Sequence, residues 1–525
     1  MPLVDKSPSQ SSLEGSPVLD DKEKYAGIEL HVEDVKEEAP DAFYISKYRA
    51  LGPLLKRLFS LGVEARGVER IPEDQRDSKN SWDSLFLWLS ANTVLTTIPV
   101  GTLAQASYNL TFPHAVAVIL CFGALGAAAT AFIATLGPKT GMRTMIITRY
   151  SSGYVGCIIN SSLNILMTLG FSTTCVILGG QTLASINPGS LPLTVGVIIV
   201  SVISLIPCFV GYDYVHMYER YAWIIIAIIM VMLFGLGGEA GFDINAQKAH
   251  EDKGGNFVAD VLSFGGIIFG SFGWGPVAAD YNCRLPPTTS STKVFLLTFF
   301  GLFIPITFIE ILGAALMTIT DPAYTGAFSS GGTGGLLSQV LAPWKEGGKF
   351  ILTLLALSVI ANNIPNIYSG ALCIQALGRP FARVPRFFWT FLIFAIITIA
   401  GVAGREHFSE ILSNFLSLLS YWLGFFVPII AAEHYVFRRK DGPLGGYDLE
   451  AYDDWTRLPL GIAGIAATCF GIAGAALGMA QTWYVSPIAV KFGPSGGDLG
   501  FELAAAFAAL SYLPLRWLEI RLIGR

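Results

Sequence analysis

Three asparagines and a proline, Asn362, Asn363, Asn366 and Pro365, interrupt an apolar run from Lys349 to Leu377 that is otherwise long enough to cross a bilayer. In hydrocarbon an unpaired amide costs several kcal/mol, and a proline inside a helix strips away a backbone hydrogen bond. Membrane proteins tolerate both where a helix faces a protein-lined, often wet cavity. An Asn side chain offers two donors and one acceptor, so such a cluster can read a hydrogen-bonding edge. Asn362 and Asn366 are one helical turn apart, with Ser358 and Ser369 close to the same face. Asn363 lies about 100° around the helix, where bonding to a neighbouring helix is the simpler role. Pro365 is expected to open the helix between the two readers. The competing reading of the amides is interhelical bonding, worth on average well under about 1 kcal/mol per contact.

Other residues of the same kind lie elsewhere in the chain. Asn160, Asn164, Thr168, Phe171 and Cys175 follow at increments of four, four, three and four, which places them on one helical face. Trp274 is flanked on both sides by glycine in GSFGWGP, a backbone opening where an aromatic has few packing reasons to sit; Phe272 is the second stacking candidate there. Glu310 is the only carboxylate well inside an apolar span, and intramembrane acids are functional suspects, although a structural hydrogen bond explains such a residue equally. Asp280 ends the GSFGWGPVAAD segment and is expected to cap or gate rather than to carry a proton.

The elements that must position these residues are membrane helices. Hydrophobic residues make up 52% of the 525, charged residues 14%, and mean hydropathy is +0.55. Twelve apolar segments recur, at Ser84–Ser107, Phe112–Leu136, Val155–Ile186, Leu191–Gly211, Tyr221–Gly238, Phe257–Ala279, Lys293–Thr320, Lys349–Leu377, Phe387–Ala403, Ile411–Ala432, Leu458–Gln481 and Leu499–Leu518. The expected fold class is therefore an all-α polytopic membrane protein of twelve transmembrane helices. Span 1 carries Ser90, Asn92, Thr93, Thr96, Thr97, Pro99 and Gly101, and span 6 carries Gly265, Gly266, Gly270, Ser271, Gly273, Gly275 and Pro276. Interrupted helices five spans apart point to an inverted repeat with a site near the midplane, although any single glycine serves helix packing equally well.

The chain divides into a Ser-, Pro- and Glu-rich tail (1–80) expected to be disordered, a ten-span core (81–437), a polar loop (438–457), and two further spans with a short C-terminal tail (458–525). A basic, apolar piece at Tyr48–Leu61 is either an amphipathic helix on the inner leaflet or an ordinary linker. Basic residues cluster in alternate connections, with about sixteen in one set against about six in the other, so both termini are expected in the cytoplasm. The net charge of −5 marks no nucleic-acid surface. The seven cysteines show no paired spacing in an outer loop, so neither a disulfide nor a metal cluster is expected. None of the six histidines lies deep in a span and no acid–base pair clusters, which argues against a polytopic enzyme.

Four segments resemble a known family, the nucleobase-cation-symport-1 transporters, and within it the fungal purine-cytosine permeases: GVEARGVERIPEDQR (62–76), GPKTGMRTMIITRYSSG (137–153), GSFGWGPVAADYN (270–282) and ANNIPNIYSG (361–370). The resemblance implies a five-plus-five inverted repeat of the LeuT type with two extra helices, alternating access, and uptake of a small heterocycle, a purine or cytosine, across the plasma membrane. It places the substrate among Ser90, Asn92, Phe171, Cys175, Phe272, Trp274, Asn362, Pro365 and Asn366. Related permeases commonly carry a Trp and an amide where this chain has Phe171 and Cys175, which keeps pyridoxine or a uracil- or allantoin-type substrate as alternatives. Sodium-dependent relatives use hydroxyls at the positions of Ile360 and Ala361. Their absence favours a proton, with Glu310 the coupling candidate and no bound cofactor or metal.

Overall fold

The computed structural model describes residues 67–525 apart from 77, 79, 210–211, 245–255 and 494–495, all within one unit, Leu58–Arg525. The tail to residue 66, including Tyr48–Leu61, lies outside the described residues. The helices are α1 (Asp83–Asn92), α2 (Ile98–Ala106), α3 (Phe112–Ala134), α4 (Arg149–Ile186), α5 (Leu193–Leu205), α6 (Tyr212–Ala240), α7 (Phe257–Ser271), α8 (Ser291–Leu316), α9 (Pro322–Leu341), α10 (Lys345–Ala376), α11 (Arg386–Gly404), α12 (Phe408–Ala432), α13 (Ile462–Gly478) and α14 (Gly500–Ile523). Among the described residues nine helices are long and apolar enough to cross a membrane, or ten when the bent pair α1 and α2 forms one span. The segments expected as spans 4 and 11 form the shorter apolar helices α5 and α13. Leu166, Phe350, Ile399 and Leu510 are each more than 60% exposed on outward faces, a surface suited to lipid rather than water.

Local chemistry starts several of these helices. Asn256 caps α7 through Val258 N, Ser290 caps α8 through Lys293 N, and Asp321 caps α9 through Ala323 N with Pro322 in the first turn. Helix α9 lies between expected spans 7 and 8, where its Gly- and Ser-rich sequence gave no span signal; Gly332, at φ 58°, kinks it. A two-stranded ribbon, β1 (Ala480–Gln481) with β2 (Tyr484–Val485), joins α13 to α14.

Spans 1 and 6 are both interrupted. Helix α1 ends at Asn92, Thr93 and Val94 leave helical geometry, a 3₁₀ turn covers Leu95–Thr97, and α2 departs at 63°. Helix α7 ends at Ser271 and the chain resumes as a 3₁₀ segment at Gly275–Tyr281, with Pro276 in its first turn. Proline and glycine at these points deny the helix a donor or a preferred conformation. Helices α2 and α8 then pack backbone to backbone: a Cβ on Gly101 would lie 1.8 Å from the Glu310 carbonyl oxygen, and one on Gly313 2.1 Å from that of Ile98. Small residues permit this approach.

Two expectations are corrected. Helix α10 runs unbroken from Lys345 to Ala376, so Pro365 does not open it. Proline removes one backbone bond, while the Asn366 Nδ2 donates to the Asn362 carbonyl at 3.0 Å and helps hold the adjoining turn. Residues 67–80, grouped in sequence with the disordered tail, include a docked stretch: Ile71 is 1% exposed, and Arg76 donates to the Ile71 and Pro138 carbonyls at 3.2 and 2.6 Å. Buried apolar area and backbone acceptors compensate the ordering of this stretch.

At the end of the molecule that carries Arg525, a buried ionic cluster joins α12, α14 and the 438–457 loop. Glu433 accepts from Arg438 at 2.7 Å, from Arg516 at 3.0 Å and from Tyr512 at 2.8 Å, while Arg516 also reaches Glu519 at 3.1 Å. The loop continues outward through Asp453, which meets both Arg149 and Arg379, and through Glu450, which meets Arg70. Removing one partner of a buried pair leaves an uncompensated charge, at a cost of about 3–5 kcal/mol. Glu433→Ala is therefore expected to lower the melting temperature in detergent by several degrees, whereas Glu450→Ala, at an exposed pair, should leave it within experimental scatter. Equal melting of the two variants would contradict this account.

Candidate functional site

The asparagine face of α10 lies against the break in span 1 and against α4. Asn362 Nδ2 donates to the Ala91 carbonyl at 2.8 Å, and Ser358 Oγ accepts from Leu95 N at 3.0 Å, so helix α10 satisfies two backbone groups exposed by the break. Asn362 Oδ1 in turn accepts from the Cys175 thiol at 3.3 Å and from Asn366 Nδ2 at 3.0 Å. The amide of Asn366 thus spends its donors on Asn362. Its Oδ1 is buried and takes no hydrogen bond from the described residues.

The break in span 6 meets the same cluster. Trp274 donates from Nε1 to Asn92 Oδ1 at 2.9 Å, and Asn92 Nδ2 donates to the Trp88 carbonyl at 2.8 Å. The Trp274 ring lies parallel to Phe171 on α4, with an interplanar angle of 8° and centroids 6.0 Å apart. Trp88 meets Trp274 edge-on at 5.5 Å. Two further buried polar atoms in this region of α1, Ser90 Oγ and Trp88 Nε1, have no partner among the described residues. A buried donor or acceptor left unsatisfied costs about 1–3 kcal/mol, so open polar atoms on Asn366 and Trp88 favour a polar guest.

The structure does not gather all the expected residues. Phe272, two residues before Trp274, turns away: its side chain packs on Gly123 and Gly126 of α3, where an added Cβ would approach its ring to 3.0 Å and its Cβ to 2.6 Å. Its carbonyl accepts from Thr130 at 2.9 Å. Asn363 donates to Ser204 on α5 at 3.1 Å, and Asn164 donates to the Cys373 sulfur at 2.8 Å; both join helices. Cys175 touches Asn362 and so positions that amide. Trp88 was not singled out in the sequence; its place one helical turn before Asn92 was the available signal.

Glu310 is fully buried on α8 and accepts from Ser271, the last residue of α7, at 2.7 Å. Its Oε2 has no partner among the described residues. Asp280, by contrast, accepts from Thr144 N at 2.7 Å, while Thr144 Oγ1 accepts from Ala279 N at 3.1 Å. This reciprocal clasp fixes the end of span 6 to the short helix Thr144–Ile147 that follows α3.

Broken spans 1 and 6 surrounding a buried polar and aromatic site define a membrane transporter. The chain belongs to the family of permeases for cytosine/purines, uracil, thiamine and allantoin, whose model matches residues 70–487. It is similar to the purine-cytosine permease fcyB of Emericella nidulans, at 39% identity over 89% of this chain and 90% of that protein. It is also similar to the vitamin B6 transporter TPN1 of Saccharomyces cerevisiae, at 31% identity over 90% of each. Among solved structures it resembles Mhp1, a nucleobase-cation-symport-1 transporter in a closed conformation with bromovinylhydantoin bound, with a TM-score of 0.58 and 15% identity over 85% of this chain and 94% of that one. The fold is thus the LeuT-type five-plus-five inverted repeat, and the protein is a permease rather than an enzyme.

Proposed function

We propose that this permease is a proton-coupled symporter that takes up purines (adenine, guanine, hypoxanthine) and cytosine by alternating access. The observation that carries the reading is the parallel Phe171–Trp274 pair beside the open Oδ1 of Asn366. A planar ring between two aromatic faces needs about 3.5 Å on each side, more than the 6.0 Å between these ring centroids provides, so the pair parts to admit one. The Asn366 acceptor then takes an N–H from the ring edge, and Ser90 and the Trp88 indole supply complementary groups. Similarity to fcyB, a purine-cytosine permease, supports the same substrate class. The basic residues of the Arg525 end support a cytoplasmic location for both termini in a plasma membrane. At the opposite end a cavity of about 1050 Å³, lined by Gln181, Ser185, Gly332, Arg405 and His407, supports access from outside.

A proton suits the site better than sodium. In the break of span 1 the Ala91 carbonyl already accepts from Asn362 and the Asn92 carbonyl from Thr97, at 2.8 and 3.1 Å. The hydrogen bond of Glu310 to the last residue before the span 6 break supports a role for it as the proton carrier. Glu310→Gln keeps shape and the Ser271 contact, so it is expected to reduce uncoupler-sensitive accumulation at least about tenfold while sparing counterflow exchange. Unchanged accumulation would remove Glu310 from coupling.

A second reading, uptake of pyridoxine, is favoured by Phe171 and Cys175 and by similarity to the vitamin B6 transporter; a uracil- or allantoin-type substrate belongs to the same alternative. The deciding experiment is radiolabelled uptake in cells lacking their own carriers, comparing adenine, guanine, hypoxanthine, cytosine, uracil, allantoin and pyridoxine with and without a proton uncoupler. Saturable, uncoupler-sensitive purine and cytosine uptake is expected. Uptake of pyridoxine alone would establish the second reading.

A further inference from the structure

Tyr281, the last residue of the 3₁₀ half of span 6, reaches across to α10: its hydroxyl lies 2.8 Å from Ser369 Oγ and donates to the Pro365 carbonyl at 3.1 Å. Ser369 falls on the helical face that carries Asn362 and Asn366, one turn nearer the Arg525 end, and the Pro365 carbonyl is the acceptor between them. Trp88 bridges the two levels, meeting Trp274 edge-on at 5.5 Å and Tyr281 edge-on at 5.6 Å. Below Tyr281 a second set of contacts follows. Tyr368 lies 6.4 Å from the Tyr281 ring, Arg386 stacks over Tyr368 at 4.2 Å, and Arg143 donates to the Tyr368 hydroxyl at 3.2 Å and to the Gly67 carbonyl at 3.0 Å.

We propose that Tyr281 is a positioning residue of the transport cycle, a latch that holds the lower half of span 6 on α10 and is released when the Phe171–Trp274 pair parts around a guest. The reason is mechanical. Trp88 touches both Trp274 and the latch, so a shift of Trp274 to admit a planar ring is passed on to Tyr281. Bundled aromatic side chains transmit such shifts as discrete repacking rather than smooth deformation. The hydroxyl is the only polar group of Tyr281, so its bonds can be removed while the ring contacts remain.

Two thiols behind the latch report its state. Cys283, two residues past Tyr281, is 1% exposed, and Cys373, one turn past Ser369 on α10, is 2% exposed. The full-length protein in inside-out vesicles is treated with a membrane-impermeant maleimide, and modification of Cys283 and Cys373 is followed by mass spectrometry. Tyr281→Phe is expected to raise both rates about five- to tenfold without substrate, with Ser369→Ala producing a smaller rise. The double variant should label no faster than Tyr281→Phe, because it breaks the same latch. The apparent affinity at the opposite face should weaken by a comparable factor, since fewer molecules remain in the state that binds there. Wild-type labelling rates in both single variants, or multiplicative rates in the double variant, would overturn the proposal. It rests on the alternating-access reading above. The thiol measurement needs no substrate, so an error in the substrate class leaves the test intact.

Discussion

Asn366→Ala is expected to abolish saturable uptake while leaving the protein at the cell surface. The side chain does two things at once. It presents a buried acceptor that no described residue fills, and its donors hold the Asn362 side chain and carbonyl, both at 3.0 Å. A well-placed amide contact to a base edge is worth about 1–3 kcal/mol of discrimination, or roughly five- to 150-fold, and losing the grip on Asn362 adds to that. Asn362→Ala should be nearly as severe for a different reason. Asn362 is committed to Ala91, Cys175 and Asn366, so its removal releases the span 1 break and leaves Asn366 unplaced. Kinetic constants and surface abundance, measured together, separate the two. Asn363→Ala, which loses only the Ser204 contact, is the control that should transport. Uptake by Asn366→Ala within twofold of wild type would remove this residue from substrate binding.

Trp274→Ala carries the second large effect. Stacking of one base on one aromatic is worth about 1–3 kcal/mol, so KM should rise at least about fivefold. The same change opens a large hole in a buried position and releases Asn92, at a stability cost of about 3–5 kcal/mol. Trp274→Phe separates these effects in part: it keeps a π-face opposite Phe171, while it loses the bond to Asn92 and some buried ring volume. Its KM is expected between wild type and Trp274→Ala, with a melting temperature lowered less than that of Trp274→Ala. Equal KM in all three proteins would show that the ring is packing and not a substrate platform. Phe272, packed on α3, serves as the contrast, since Phe272→Leu should alter stability more than KM.

Much of this geometry was legible along the chain. The amide stripe, the Gly-Trp-Gly opening and the Thr- and Pro-rich stretch of span 1 each announce themselves locally, because an unpaired amide or a broken helix in hydrocarbon is too costly to occur without cause. Helical angle alone separated Asn363 from Asn362 and Asn366, and Asn363 does turn to α5. What stayed hidden depends on the partner across the gap. Phe272 and Trp274 sit in the same motif, yet one faces α3 and the other faces Phe171. Pro365 was read as a break because its missing donor is visible in sequence, whereas the packed continuous helix around it is not.

Membrane class, broken spans and inward-facing residues can be read from the chain, since periodicity and the cost of buried polarity act within single segments. How those residues divide their work is set by packing. It gave the donors of Asn366 to Asn362 and left its acceptor open, made Cys175 a support for Asn362, paired Phe171 with Trp274, and fastened Tyr281 to Ser369. Each of these joins residues far apart in the chain or assigns one of two available partners. A hydrogen bond or ring contact depends on separations of tenths of an ångström, which packing sets and spacing along the chain does not.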